Sequence, residues 1–232
     1  MAGRLGLREI HVWAVDLFDG DWDAVAKECH ERALRGKPVA RSIESRRAHA
    51  ALSRLLDAYP GCGAQPRPVR RSATGRPELA DAGLSFNLSH SHGIALIGFS
   101  VAPIGVDVEF IDPRGGDPEE LVNAVLHPQE IDEWRATITA DRWDRLHRIW
   151  VRKEAYAKAL GVGLARDFRG FRVEPVTAGV LRVIDEEQPR RSHMYVHELV
   201  APSGFAAAVC TPIVEPWIKR RTLSPHGTPR WT

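Results

Sequence analysis

The stretch 9–17, EIHVWAVDL, is rich in β-branched and aromatic side chains and reads as a strand. It runs into Asp19-Gly20-Asp21, a turn that leaves Asp21 placed to cap a helix. Trp22, Val25, Ala26, Cys29 and Ala33 then recur at helical spacing until Gly36 and Pro38 stop the pattern. A second helix is predicted over 41–59, with Ala48, Leu52, Leu55, Leu56 and Tyr59 on one stripe and Arg41, Arg46, Arg47 and Arg54 on other faces. The glycine- and proline-rich stretch 60–77 reads as a basic loop carrying Arg67, Arg70, Arg71 and Arg76.

Three short strands follow at 84–88, 94–100 and 104–110. Two or three helices are predicted from 118 to 160, closing at Gly161 and Gly163, and from Phe171 the pattern returns to strands. The order strand, helices, strands, helices, strands predicts an α+β protein of two similar α/β halves, residues 1–104 and 105–216. Residues 217–232 read as a polar basic tail that frays.

Composition narrows the function classes. Of 232 residues 44% are hydrophobic and 27% charged, as in a globular protein able to bury a core. Lys and Arg total 32 against 30 for Asp and Glu, a net charge of +2 that disfavours a bulk electrostatic binder of nucleic acid or membrane. Cys29, Cys62 and Cys210 are scattered, which argues against a disulfide framework or a structural zinc. With no signal-peptide-like or membrane-spanning apolar run, the expectation is a reduced cytoplasmic protein.

In IGVDVEF, Ile104, Val106, Val108 and Phe110 alternate with Gly105, Asp107 and Glu109. Both carboxylates then share one strand face, about 7 Å apart. Either that face is solvated, or a hard cation sits between the two acids. In WDRLHRIWVRKEAYAKALGVG, Glu154 and Lys158 are one turn apart, which suits an ordinary helix ion pair or a second acidic element of a site. FNLSHS ends a strand with Ser89, His90 and Ser91, hydroxyls and an imidazole of the kind that hold phosphate; His90 could equally be a loop hydrogen-bonder. No Gly-x-Ser-x-Gly elbow surrounds Ser89, which argues against a hydrolase triad.

The ordered set Gly75-Arg76-Pro77, FNLSHS, Gly105-Val-Asp-Val-Glu109 and Trp150-x-x-Lys153-Glu154-Ala155-x-x-Lys158 resembles the 4'-phosphopantetheinyl transferases in their larger, pseudo-dimeric type. The likeness spans roughly residues 10–210, and the two acidic motifs are specific in combination. The resemblance implies two halves in a pseudo-twofold arrangement with the active site in the cleft between them. It implies Asp107, Glu109 and Glu154 as ligands of Mg²⁺, with Mn²⁺ an alternative, and Glu154 and Lys158 as catalytic groups. Arg76, Ser89, His90 and Lys158 match positions that hold the phosphates of coenzyme A, and Arg47 falls near the basic residues for its 3'-phosphate, where Arg41, Arg46 or Arg54 could serve instead. Arg76 stands where many members have lysine, and Glu130 is a second candidate base.

The implied reaction moves phosphopantetheine from coenzyme A, the co-substrate, to a serine of an apo acyl or peptidyl carrier protein, releasing 3',5'-ADP. A chain holding both halves is expected to work as a monomer, without nucleic acid or membrane. The insert helices 118–135 are the expected carrier docking surface. A Mg²⁺-dependent nuclease and a non-enzymatic nucleotide-binding module are the competing classes.

Overall fold

The computed structural model describes residues 5–32, 42–59, 69–71, 77–79, 83–112, 118–162, 166–188 and 193–227. β1 (Glu9–Asp16) leads to α1 (Trp22–Arg32) and α2 (Ile43–Ala58), then a small ribbon of β2 (Val69–Arg71) and β3 (Pro77–Leu79), and the hairpin β4 (Ser85–Ser91) and β5 (Ile94–Ser100). The second half runs β6 (Gly105–Phe110), α3 (Pro118–Val125), α4 (Pro128–Arg135), α5 (Arg142–Leu160), β7 (Phe171–Thr177), β8 (Val180–Asp185), β9 (Tyr195–Glu198) and β10 (Phe205–Thr211), and β11 (Trp217–Leu223) is the last strand among the described residues.

Local chemistry sets several boundaries. Ser42 caps α2 by accepting from the Ser45 N–H at 3.1 Å. α4 opens on Pro128 with a capping box between His127 and Glu130. α5 stops at Gly161, whose φ of 77° is the left-handed C-terminal conformation. Asp21, expected to cap α1, directs its Oδ2 at His226 Nε2, 2.7 Å away.

The α+β expectation holds. The first sheet has the order β11-β1-β5-β4 and the second β6-β10-β9-β8-β7. Each half repeats one theme. Its first strand (β1, β6) pairs antiparallel with its last (β5, β10), and that strand pairs antiparallel with the one before it (β4, β9). Alternation along each strand builds three apolar layers. Trp13, Val15, Ile97 and Phe99 face α1 and α2. Ala206, Ala208 and Cys210 join the core under α3, α4 and α5. Ile10, Val12, Leu96, Val106, Val108, Ala207 and Val209 form a middle cluster that joins the inner faces of the two sheets.

Three expectations need correction. The chain end is not a fraying tail as far as it is described: β11 pairs in parallel with β1 from Trp217 opposite Glu9 to Leu223 opposite Val15, and Leu223 is buried. Arg54 of α2 donates to the carbonyls of Pro225 and Gly227, fastening the same segment to the first half. Within 60–77, Val69–Arg71 pairs with Pro77–Leu79 and so is strand rather than loop. Ser89, His90 and Ser91 lie inside β4. The turn is only His92 and Gly93, with φ of 44° and 79°, a two-residue hairpin that needs positive φ at both positions. His92 also stacks on Phe110 at 4.4 Å. Arg41, Cys62, Arg67, Arg76 and Gly163 fall outside the described residues. Among the described residues no helix is long and apolar enough to cross a membrane.

Two contacts set the energetics of this frame. A Cβ on Gly105 would stand 2.0 Å from the Ala155 carbonyl oxygen and 2.4 Å from the Ala159 nitrogen, so α5 lies directly on β6. Gly105→Ala should cost about 3 kcal/mol, because backbone on both sides cannot yield cheaply. A denaturant midpoint equal to that of the wild type would contradict this close approach.

The second contact ties β11 to β1. Glu9 accepts from Lys219 at 2.5 Å and pairs with His11 Nε2 at 2.9 Å. The Lys219 contact holds the Glu9 carboxyl well below the usual range, at about 2, against the opposing pull of its own burial. A depressed carboxyl pKa stabilises the fold above its unfolded value near 4.5 and loses that contribution as pH falls toward 2. Lys219 is half-exposed, so solvent screening reduces the contribution to about 1 kcal/mol. Glu9→Gln should therefore lower the melting temperature by about 2–4 °C at pH 7, and the gap should shrink below pH 4.5 and close as pH falls to about 2.

Candidate active site

β6 carries Gly105, Asp107 and Glu109 on the face that α5 covers, with Val106 and Val108 turned into the middle cluster. The alternation expectation is met, and the solvated-face alternative is not: Asp107 is only 1% exposed. Ser89 on β4 donates to Asp107 Oδ1 at 2.7 Å, and Lys158 Nζ donates to the same oxygen at 2.5 Å and to Ser89 Oγ at 2.8 Å. Lys158 therefore joins the strand carboxylate and the serine of the other half. Asp107 Oδ2 is buried with no hydrogen-bond partner.

Glu154, one turn before Lys158, is 4% exposed. Burial raises its pKa to about 7; Lys158 pulls it down, and Asp107 and Glu109 push it up. Glu109 is also raised, first by burial and then by Asp107, against hydrogen bonds from Ser91 and Trp150. The three acids thus feel one another across the α5–β6 contact, with Lys158 the cation that opposes them among the described residues. His90, half-buried on β4, has Nδ1 3.8 Å from Glu44 Oε2, a separation too long for a hydrogen bond, and burial lowers its pKa.

The donor set fits a hard divalent cation in its chemistry: carboxylate oxygens only, one of them orphaned, with Glu109 and Glu154 held toward neutrality by burial and neighbouring acids adding to it. As they stand, no group of three or more His, Cys, Asp or Glu side chains among the described residues is arranged to hold a metal ion.

Other candidates lie elsewhere. Arg47 is engaged, with Nε and Nη2 on Asp23 at 2.8 and 2.6 Å and Nη1 on the Leu17 carbonyl at 2.7 Å, so it clamps α1 and β1 to α2. Arg54 is committed to the chain end, and Arg46 is exposed. Glu130 sits inside the second half. Its Oε2 meets Lys153 Nζ at 2.6 Å and accepts from the His127 N–H, and its Oε1 accepts from the Val173 N–H. That placement corrects Glu130 as a candidate base, since both oxygens are already bound by structural donors. Lys153 is fully buried and also donates to the carbonyls of Val125, Phe168 and Phe171.

Asn87 escapes a sequence reading as a site residue, and Ser91, expected among the phosphate-holding hydroxyls, grips the β6 backbone as well. Asn87 Oδ1 accepts from the Val106 N–H at 2.9 Å, and Ser91 Oγ accepts from the Phe110 N–H at 3.2 Å. The polar alternation Asn87-x-Ser89-x-Ser91 is the signal that points to them. A separate cavity of about 950 Å³, lined by Val12, Leu96, Val108, Ala207 and Arg220, opens on the other side of β6 from Asp107.

Two α/β halves that meet at a buried serine, a lysine and a cluster of acids define a site suited to a phosphate ester. The family model of the 4'-phosphopantetheinyl transferase superfamily matches residues 103–210, which include Asp107, Glu109, Glu154 and Lys158. The chain is 31% identical to the 4'-phosphopantetheinyl transferase HetI of Nostoc sp. over 68% of this chain and 71% of that protein. It is 27% identical to the 4'-phosphopantetheinyl transferase Sfp of Bacillus subtilis over 79% of this chain and 75% of that one. Among solved structures, a holo-(acyl-carrier-protein) synthase from Bacillus anthracis in complex with CoA (3',5'-ADP) aligns with a TM-score of 0.39 at 20% identity, over 47% of this chain and 93% of that chain. The chain belongs to the 4'-phosphopantetheinyl transferase family, in its Sfp-like type, and is an enzyme of that class.

Removing one partner of the buried Glu130–Lys153 pair leaves a charge uncompensated. Glu130→Ala should cost about 3–5 kcal/mol in urea unfolding. The protein that remains folded should keep its turnover number, because Glu130 supports α5 and touches no reacting atom.

Proposed function

We propose that this enzyme transfers the 4'-phosphopantetheine group of coenzyme A to a serine hydroxyl of an apo acyl or peptidyl carrier protein and leaves 3',5'-ADP. The observation that carries the reading is the buried Ser89–Asp107–Lys158 contact between the two halves, with the orphaned Asp107 Oδ2 beside it. Asp107, Glu109 and Glu154 would hold Mg²⁺, or Mn²⁺, whose charge would neutralise the pyrophosphate oxygens. Ser89 and His90 orient the phosphates from β4, with Arg76 assigned to the same task on the strength of the family motif.

Lys158 moves from Asp107 onto the phosphate oxygens as substrate enters and stabilises the departing ADP. Glu154, held close to neutral pH by burial, takes the proton of the acceptor serine at a carboxylate oxygen. The 3'-phosphate falls to the arginines of α2, of which Arg46 is exposed and Arg47 would first release Asp23. The carrier docks on α3 and α4, the insert between the two acidic motifs. One chain supplies β4 from the first half and β6 and α5 from the second, which supports a monomer.

Incubation with coenzyme A, Mg²⁺ and a panel of apo carriers, read by intact mass, should give a phosphopantetheine adduct on at least one of them. Asp107→Ala should reduce the rate by about 10²- to 10³-fold while the far-ultraviolet circular dichroism is unchanged. An active Asp107→Ala would sink the metal assignment. Cleavage of DNA without any carrier adduct would replace the transfer reading with a nuclease.

A further inference from the structure

β6 is the last strand of its sheet: β10 pairs with one side, and β4, the last strand of the other sheet, runs along the other. The two edges are not joined by a backbone ladder. Instead, alternate side chains of β4 reach across. Asn87 takes the Val106 N–H at 2.9 Å, Ser89 meets Asp107 at 2.7 Å, and Ser91 takes the Phe110 N–H at 3.2 Å. Residues two apart on a strand share a face, so one face of β4 supplies all three contacts. The order 87, 89, 91 against 106, 107, 110 advances in the same direction on both strands.

The form of this junction matters. A ladder would draw the strands to about 4.8 Å and leave no space between them. A side chain bridging to a backbone N–H holds them farther apart, yet still fixes the register. It also binds β6 by its main chain and leaves Asp107 Oδ2 without a partner, while Ser91 reaches the Glu109 carboxylate as well. Asn87 touches neither carboxylate, and its bond lies one residue before Asp107.

We propose that Asn87 and Ser91 are positioning residues that act as a register lock between the halves: by gripping the backbone N–H groups of Val106 and Phe110 they fix where Asp107 and Glu109 stand against Ser89, His90 and Lys158. The lock is a property of the fold, and its effect on turnover rests on the transferase reading above. A one-residue slip of β6 along β4 would carry Asp107 away from Ser89 and turn the wrong side chains toward α5.

Amide hydrogen exchange resolved at single residues tests the lock directly. Asn87→Ala should speed exchange at Val106 by at least about tenfold, while Asn87→Asp, which keeps an acceptor oxygen at the same reach, should stay near the wild type. Ser91→Ala should do the same at Phe110, and Ser91→Thr should restore protection. In the transfer assay Asn87→Ala should lower kcat by about 10- to 100-fold with little change in the KM for coenzyme A, and Asn87→Asp should recover most of it. Unchanged exchange at Val106 in Asn87→Ala, or equal losses in the Ala and Asp variants, would overturn the lock. Faster exchange with an unaltered kcat would overturn the positioning role. Should the wild type modify no carrier, the transferase reading falls, while the exchange data still decide the lock. If Asn87→Ala does not fold, exchange at Phe110 in Ser91→Ala and Ser91→Thr decides the lock by the same comparison.

Discussion

The whole arrangement depends on one close approach: α5 lies on β6 at Gly105, with Ala155 and Ala159 against a position that has no side chain. Because the helix backbone comes this near, Glu154 and Lys158 are long enough to reach the strand that carries Asp107 and Glu109. A bulkier residue at 105 would lift α5 and open the distance between Lys158 and Asp107, now 2.5 Å. Gly98 on β5 has a related function between the halves. A Cβ there would stand 2.7 Å from Val106 Cγ1 and 2.9 Å from Ile104 Cδ1, so the absence of a side chain lets the two sheets pack through the middle cluster.

α5 then divides its charges by face. Lys153 turns inward, where three carbonyls and Glu130 replace its water, and the pair is stable because every donor and acceptor has a partner. Glu154, the next residue, turns toward β6. Burial raises its pKa to about 7, with Asp107 and Glu109 pushing the same way and Lys158 opposing them. Adjacent positions of one helix thus hold a charge satisfied by structural partners and a carboxyl kept near neutrality among other acids.

Much of this was legible along the chain because it follows from local periodicity. Period-two alternation separated Val106 and Val108 from Asp107 and Glu109, and helical spacing put Glu154 and Lys158 on one turn. Other features were hidden. The basic segment 217–223 has no hydrophobic alternation strong enough to announce a strand. It becomes one because β1 offers a free edge and Glu9 a partner for Lys219. His90 and Ser91 read as loop because Ser-His-Ser-His is polar, yet both sit in β4, and only His92 and Gly93 make the turn. Glu130 entered as a second candidate base through the family resemblance; its capping box and Lys153 place it in the core instead.

The sequence by itself determined the two-half α+β plan, the face on which each acid would stand and the family to which the motifs belong, since these depend on spacings within single elements. Only the tertiary structure decided which charges meet. Lys158 could have paired with Glu154 on its own helix, and instead crosses to Asp107 and Ser89, because β4 and α5 bring those oxygens nearer than the helix turn does. Arg47 and Glu130 were drawn into structural pairs for the same reason. The partner of a charge is chosen by distances between elements far apart in the chain, and no local pattern encodes those distances.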